Sequence, residues 1–182
     1  GDASNVFFFI ETATTESFAR IHLSGQHDAL PSWRGVMAAF PGAKGVVGDL
    51  GGGSLELVDI DGKNCSHGTS MPLGSLQLTQ LRAEGGARFS QKVHNILAGA
   101  NWSGEHSLPL YLVGGSWRAL ARYAMHQDGW PLDDPHGYEM APERVVTLAR
   151  SVGAGKLMRD IPGLSKSRLA SLPDAAALLG VL

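Results

Sequence analysis

Only one cysteine, Cys65, occurs among 182 residues, so no intramolecular disulfide can form. A reducing compartment fits, and the cytoplasm is the expected location. Long hydrophobic runs are missing too. The apolar stretch Val6-Phe7-Phe8-Phe9-Ile10 is too short to span a bilayer and lacks the basic flank of a signal peptide, so no membrane partner is expected. Basic excess is absent: 15 Lys and Arg face 17 Asp and Glu, dispersed, for a net charge of −2. That excludes a general nucleic-acid binder, which needs a basic surface or stripe. The seven histidines are scattered, with no His-Glu-X-X-His and no Cys-X-X-Cys, so zinc is unsupported. Neither an internal repeat nor a low-complexity segment is present. What remains is a core-forming chain, 43% hydrophobic and 18% charged, long enough for one domain or one domain with an appendage.

Glycine is plentiful, and its placement is informative. In Gly48-Asp49-Leu50-Gly51-Gly52-Gly53-Ser54-Leu55-Glu56 two carboxylates flank three glycines and a serine, with apolar runs on both sides. The pattern reads as strand, tight turn, strand. Glycines allow positive φ and let successive N–H groups converge on an anion.

Around this turn the elements follow in order. Gly1 to Thr15 reads as a helix, Phe18 to Leu23 as a half-buried strand and Asp28 to Phe40 as a helix. Lys44–Leu50 and Ser54–Ile60 are strands. Asp61-Gly62 is a hairpin signal before a third strand near Asn64–Ser70. Helices are expected over Pro72–Ala83 and Ala87–Ala100, a strand over Leu108–Val113 and a helix over Ser116–Gln127. A short strand at His136–Met140 and helices over Pro142–Val152 and Asp174–Leu182 complete the order. A three-strand antiparallel meander followed by crossover units predicts an α/β fold: a mixed sheet with helices on both faces, in the order of an actin-like, ribonuclease H-like domain.

Several residues could do chemistry. If the glycines form the turn, Asp49 lies roughly opposite Ser54, and Glu56 sits diagonally on the same face, about 7 Å away at Cα. A hydrated Mg²⁺ or an attacking water fits that gap, since Mg²⁺ takes oxygen ligands and commonly only one or two carboxylates. Gly114-Gly115-Ser116 follows an apolar strand and opens a helix, whose N-terminal amides suit a phosphate; Ser116 could cap that helix and Arg118 add charge. Spacing alone makes Asp28 a helix cap or a general base, and Arg168 a surface arginine or a phosphate contact. His136 and Tyr138 could touch substrate or pack, and the four tryptophans are expected in the core.

Val47 through Glu56 resembles the signature of the exopolyphosphatase and guanosine pentaphosphate phosphohydrolase family. Pro72-Leu73-Gly74, Val113 through Leu120, His136-Gly137-Tyr138-Glu139, and Arg168 through Leu172-Pro173 agree in order. The resemblance implies an actin-like fold of two similar domains around a cleft, and Mg²⁺-dependent hydrolysis of the terminal phosphate of polyphosphate or guanosine pentaphosphate. It makes Asp49 and Glu56 metal-associated or water-activating acids. Gly51, Gly52, Gly53, Ser54, Gly114, Gly115 and Ser116 become phosphate-binding groups, with Arg118 and Arg168 as phosphate contacts. The ligand partner is then polyphosphate or guanosine pentaphosphate, and a second copy of the chain is the candidate protein partner.

Three departures from the family pattern stand out. No second phosphate loop appears near the N-terminus. The expectation is that residues 1–40 are the terminal helix-strand-helix portion of the family's first domain or an appendage, and that 41–182 are its second domain, so that the chain is a truncated relative. Asp28 falls where the family's proposed general base is a glutamate, and Leu30 where it has an arginine; Asp174 or Ala175 stands where a glycine is common. A carboxylate shortened by one methylene changes its reach. The leading expectation is therefore a phosphohydrolase domain with impaired catalysis. A non-catalytic sensor of polyphosphate or a guanosine alarmone is the rival, and an ATP-dependent small-molecule kinase the third reading.

Overall fold

A computed structural model describes residues 5–9, 30–66, 68–102, 108–158 and 161–182. Its strands are β1 (Val6–Phe9), β2 (Lys44–Leu50), β3 (Leu55–Asp61), β4 (Thr69–Met71), β5 (Leu110–Val113) and β6 (Glu139–Met140). Its helices are α1 (Leu30–Ala39), α2 (Ser75–Ala83), α3 (Gly86–Gly99), α4 (Gly115–Gln127), α5 (Pro142–Gly153) and α6 (Lys166–Leu179). The six strands form one mixed sheet in the order β4-β3-β2-β5-β1-β6. Strands β2, β3 and β4 make the antiparallel meander; β5 joins β2 in parallel, β1 joins β5 in parallel, and β6 closes the edge antiparallel to β1. Among the described residues no helix is long and apolar enough to cross a membrane.

Alternation along the strands sends side chains to two cores. Val46, Leu50, Leu55, Leu57 and Leu112 point to the larger one, built with Leu78, Phe89, Trp117, Leu148 and Leu178 from helices α2 to α6. Val47, Ile60, Tyr111 and Val113 point to the smaller one, under Val36 of α1. Asp49 and Glu56, described below, sit at one end of this smaller face.

Several expectations need correction. The opening helix over Gly1–Thr15 is not formed at residues 6–9, which are a strand: Val6 and Phe8 enter the larger core and Phe7 packs on the smaller. A strand apolar on both faces has no period to separate it from a helix. β1 and α1, which a boundary at residue 40 would set apart, lie in and on the same sheet as β2. The third strand is shorter and later than expected, with only an isolated bridge between Ile60 and Cys65 before it. Helix α6 starts at Lys166, capped by the Ser165 side chain, and runs through Pro173. Arg82 anchors the helix there: it donates to the carbonyls of Pro173 and of Gly153 (2.9 Å for the latter), and pairs through Nε with Asp174 at 3.3 Å. Asp174 also accepts from Thr79 Oγ1 at 2.6 Å, so its carboxylate is a buried strut between helices. Trp117 is fully buried, but Trp130 is 49% exposed. The strand expected at 18–23 lies outside the described residues.

Candidate phosphate-binding site

The β2–β3 pairing sets the geometry of the acids. Asp49 is registered directly on Glu56, and Leu50 on Leu55. Directly opposed residues in an antiparallel pair share a face, with Cα atoms about 5 Å apart. The diagonal arrangement expected from the sequence is therefore corrected: the turn is the four residues 51–54, and the two carboxylates are nearest neighbours. The row continues to Ser70 on β4 beside Glu56, and to Val113 on β5 beside Asp49. Ser54 Oγ lies 3.5 Å from Glu56 Oε1.

The glycine bend is held in an unexpected way. None of Gly51, Gly52 and Gly53 has positive φ, so the left-handed nest expected there is absent. Instead the bend is tied down by its carbonyls. The first N–H groups of α2, at Ser75 and Leu76, donate to the oxygens of Gly51 (3.0 Å) and Gly52 (3.1 Å). The Gln77 amide, in the orientation that satisfies both its ends, donates to Gly52 and Gly53 at 3.3 Å. The α2 N-terminus has no side-chain cap because the bend takes that place. Carbonyls turned toward α2 leave the N–H groups of Gly52 and Gly53 without a backbone partner among the described residues, in an exposed loop. A peptide plane with its oxygen fixed on one side presents its hydrogen on the other.

Gly74 makes this possible. A Cβ there would lie 2.3 Å from the Gly53 carbonyl carbon and 2.4 Å from the Ser54 nitrogen. Only glycine lets α2 start so close under the bend.

The second glycine turn abuts the first. Gly114, at φ 113°, is the residue before α4, and a Cβ on it would meet Leu50 O at 2.7 Å and Asp49 Oδ1 at 3.2 Å. At Gly115 a Cβ would meet the Arg168 guanidinium at 2.9 Å. Acid pair, bend, α4 N-terminus and Arg168 are thus contiguous. Arg118 lies one turn into α4, half-buried. Ser116 is buried and does not cap the helix, contrary to expectation.

Asp49 has one partner that sequence reasoning missed. Ser32, buried near the start of α1, donates to Asp49 Oδ2. Burial raises the Asp49 pKa above the ordinary carboxylate value, and the Ser32 hydroxyl pulls partly against that rise. Asp49 is half-buried, and among the described residues no salt bridge pairs it with a positive charge. Asp28, the other expected acid, lies outside the described residues.

His136 and Tyr138 are not brought to this site. The Tyr138 hydroxyl donates to Asp128 at 3.0 Å while its ring packs on Phe8 and Trp130; burial and Asp128 together push its pKa up to about 12. The His136 ring stacks on Phe40. Among the described residues no group of three or more His, Cys, Asp or Glu could hold a metal ion. The pair Asp49–Glu56 nevertheless fits a divalent ion of the Mg²⁺ type, which needs only one or two carboxylates when water and phosphate oxygens complete its shell.

The sequence matches the model of the Ppx/GppA phosphatase family over residues 2–182. The chain belongs to that family. Among curated proteins, none matches. Solved structures of the family share the fold. An exopolyphosphatase from Cytophaga hutchinsonii superimposes with a TM-score of 0.63 at 18% identity, over 81% of this chain and 52% of that one. A PPX-GPPA enzyme of Aquifex aeolicus gives 0.56 at 18% identity, over 78% and 50%. An exopolyphosphatase-like protein gives 0.60 at 20% identity, over 76% and 47%. The chain spans about half the length of these Ppx/GppA structures. Its fold is the α/β, actin-like, ribonuclease H-like type expected from the element order.

Proposed function

We propose that this chain is the phosphate-binding portion of a phosphohydrolase that releases the terminal phosphate of inorganic polyphosphate or guanosine pentaphosphate. One observation carries the reading: Asp49 and Glu56 oppose each other on one face, beside a bend whose Gly51, Gly52 and Gly53 carbonyls are engaged from α2 and whose Gly52 and Gly53 N–H groups have no backbone partner among the described residues.

In the mechanism this supports, the amides of Gly52 and Gly53 and the α4 N-terminus at Gly115 hold the oxygens of the terminal phosphoryl group. Arg168 takes part of its charge. Glu56 orients a water in line with the bridging P–O bond and takes its proton as the new P–O bond forms; the bridging oxygen leaves on the shortened phosphate chain. Ser54 steadies the Glu56 carboxylate. Asp49 and Glu56 are the residues that would hold a divalent cation such as Mg²⁺, which when bound supplies neutralisation of the charge on the phosphoryl oxygens. Asp28 is the further candidate for water activation.

The test is Mg²⁺-dependent phosphate release from tripolyphosphate and guanosine pentaphosphate. The chain is assayed alone and together with the part of a Ppx/GppA relative that it does not span. We expect slow turnover alone, acceleration on complementation, and a loss of about a hundred-fold or more in Glu56→Gln. Equal rates for wild type and Glu56→Gln would end the proposal. Leu30, at the start of α1 where the family carries an arginine, favours a second reading, a sensor that binds these anions without turnover. Tight binding with no release even after complementation is its signature.

A further inference from the structure

Ser32 is a hydroxyl in an apolar place. Helix α1 lays Val36, Met37 and Phe40 on the smaller core, against Val47, Tyr111 and Val113. Ser32 stands four residues before Val36, so it extends the same sheet-facing stripe by one turn. Asp49 stands two residues beyond Val47, on the same face of β2. One helical turn rises about 5.4 Å and two strand residues cover about 6.6 Å, so the two steps keep pace. The short turn between Phe40 and Lys44 sets α1 antiparallel to β2, which brings its first turn beside Asp49. A serine near a helix start ordinarily bonds the backbone of its own helix. This one, only 4% exposed, donates to Asp49 Oδ2 instead. The apolar stripe itself needs no hydroxyl.

The bond makes the two oxygens of Asp49 unequal. Oδ2 is taken by Ser32. Oδ1 accepts no hydrogen bond among the described residues, and it lies on the Gly114 side, 3.2 Å from where a Cβ on that glycine would stand. A carboxylate held by one oxygen offers a cation the other, in a fixed direction. That suits Mg²⁺, which demands near-ideal octahedral geometry, better than Ca²⁺, which also takes carboxylates through both oxygens. We propose that Ser32 is a positioning residue and a determinant of ion choice: it locks the Asp49 side chain in one rotamer, presents Oδ1 alone on the Gly114 side, and so makes the site favour Mg²⁺ over Ca²⁺. The ion choice rests on the phosphohydrolase reading. The locked rotamer does not.

The test compares the full chain with Ser32→Ala and Ser32→Thr. Three-bond NMR couplings between the Hα and the two Hβ atoms of Asp49 report its rotamer with no metal present. Calorimetric titrations with Mg²⁺ and, separately, with Ca²⁺ report the ion choice. We expect a single rotamer in wild type and Ser32→Thr, and averaged couplings in Ser32→Ala. Mg²⁺ affinity should fall about ten-fold in Ser32→Ala, the usual loss when a residue that orients a metal ligand is removed, while Ca²⁺ affinity holds or rises. Threonine should restore both. A single Asp49 rotamer in folded Ser32→Ala would overturn the inference, and so would a folded Ser32→Thr that behaves like the alanine variant. Equal losses for the two ions would overturn the ion choice, since a merely loosened fold gives that result. A wild type that binds neither ion, with the rotamer still lost in Ser32→Ala, would refute the metal reading and leave the positioning role standing.

Discussion

The two glycine turns at the end of the sheet are built on opposite plans. At Gly114 and Gly115 glycine is demanded by the protein itself: a side chain would collide with Leu50 O, Asp49 or Arg168, and Gly114 adopts a backbone angle that other residues resist. At Gly52 and Gly53 a Cβ would meet nothing within 4 Å, and the backbone is ordinary. Folding does not need those glycines. The contrast separates a turn whose glycines keep the fold from one whose glycines keep space open, and space beside unpartnered N–H groups is what an anion uses. Gly74 belongs with the first kind, since it lets α2 lie directly under the second.

This contrast can be broken by substitution. The largest effect is expected for Gly74→Ala, where the new methyl must displace the bend backbone: a destabilisation of about 3 kcal/mol, read by urea unfolding. Gly114→Ala should follow at about 2 kcal/mol, from the positive φ and the contact with Leu50 O. If either melts like wild type, the assignment of these glycines to the fold is wrong. At Asp49, between the two turns, the sign runs through its raised pKa. Between the unfolded carboxylate value and the higher folded one, the folded state keeps a proton that the unfolded chain gives up. Stability therefore falls as pH rises through that window, and the full penalty is present above it. Asp49→Asn should melt higher than wild type at pH 7 and alongside it near pH 3, while losing phosphate release. Mg²⁺ should raise the wild-type melting temperature and not the variant's. A melting difference that is the same at both pH values would contradict the buried-charge account. The smallest change in stability is expected for Gly53→Ala, within about 0.5 kcal/mol of wild type, yet phosphate binding should weaken because the methyl occupies the open side. Full binding by that variant would erase the distinction between the turns.

The parts of the site legible from sequence are those encoded locally. Apolar runs on both sides of Gly51–Gly53, and the run before Gly114, placed two strands and the start of α4 to within a residue or two. The family motif singled out Asp49, Glu56 and Arg168, which the fold brings to one end of the sheet. What stayed hidden depends on register and distance. Whether Asp49 faces Ser54 or Glu56 turns on how many residues the bend takes, and glycines carry no pattern to count by. Ser32 and Gln77 reach the site from helices elsewhere in the chain, with no spacing rule to link them to it. Gly74 did leave a trace, as the last residue of a Pro-Leu-Gly motif that agreed with the family, but its role beneath the bend appears only in three dimensions. The strand at 6–9 was misread because pairing with β5 overrides local preference, and the start of α6 was misread because Pro173 lies inside a helix that packs on α2 and α5.

The way α2 begins has an electrical consequence. A helix opening directly on a ligand would contribute its own end charge; here two peptide planes, Gly51–Gly52 and Gly52–Gly53, stand between as conductors. Each accepts at its oxygen from the helix and becomes a stronger donor at its nitrogen, so the polarity of the whole helix is handed through the loop to its outer edge. Shortening α2 or breaking its first turn should therefore weaken anion capture some distance from any residue that touches the anion.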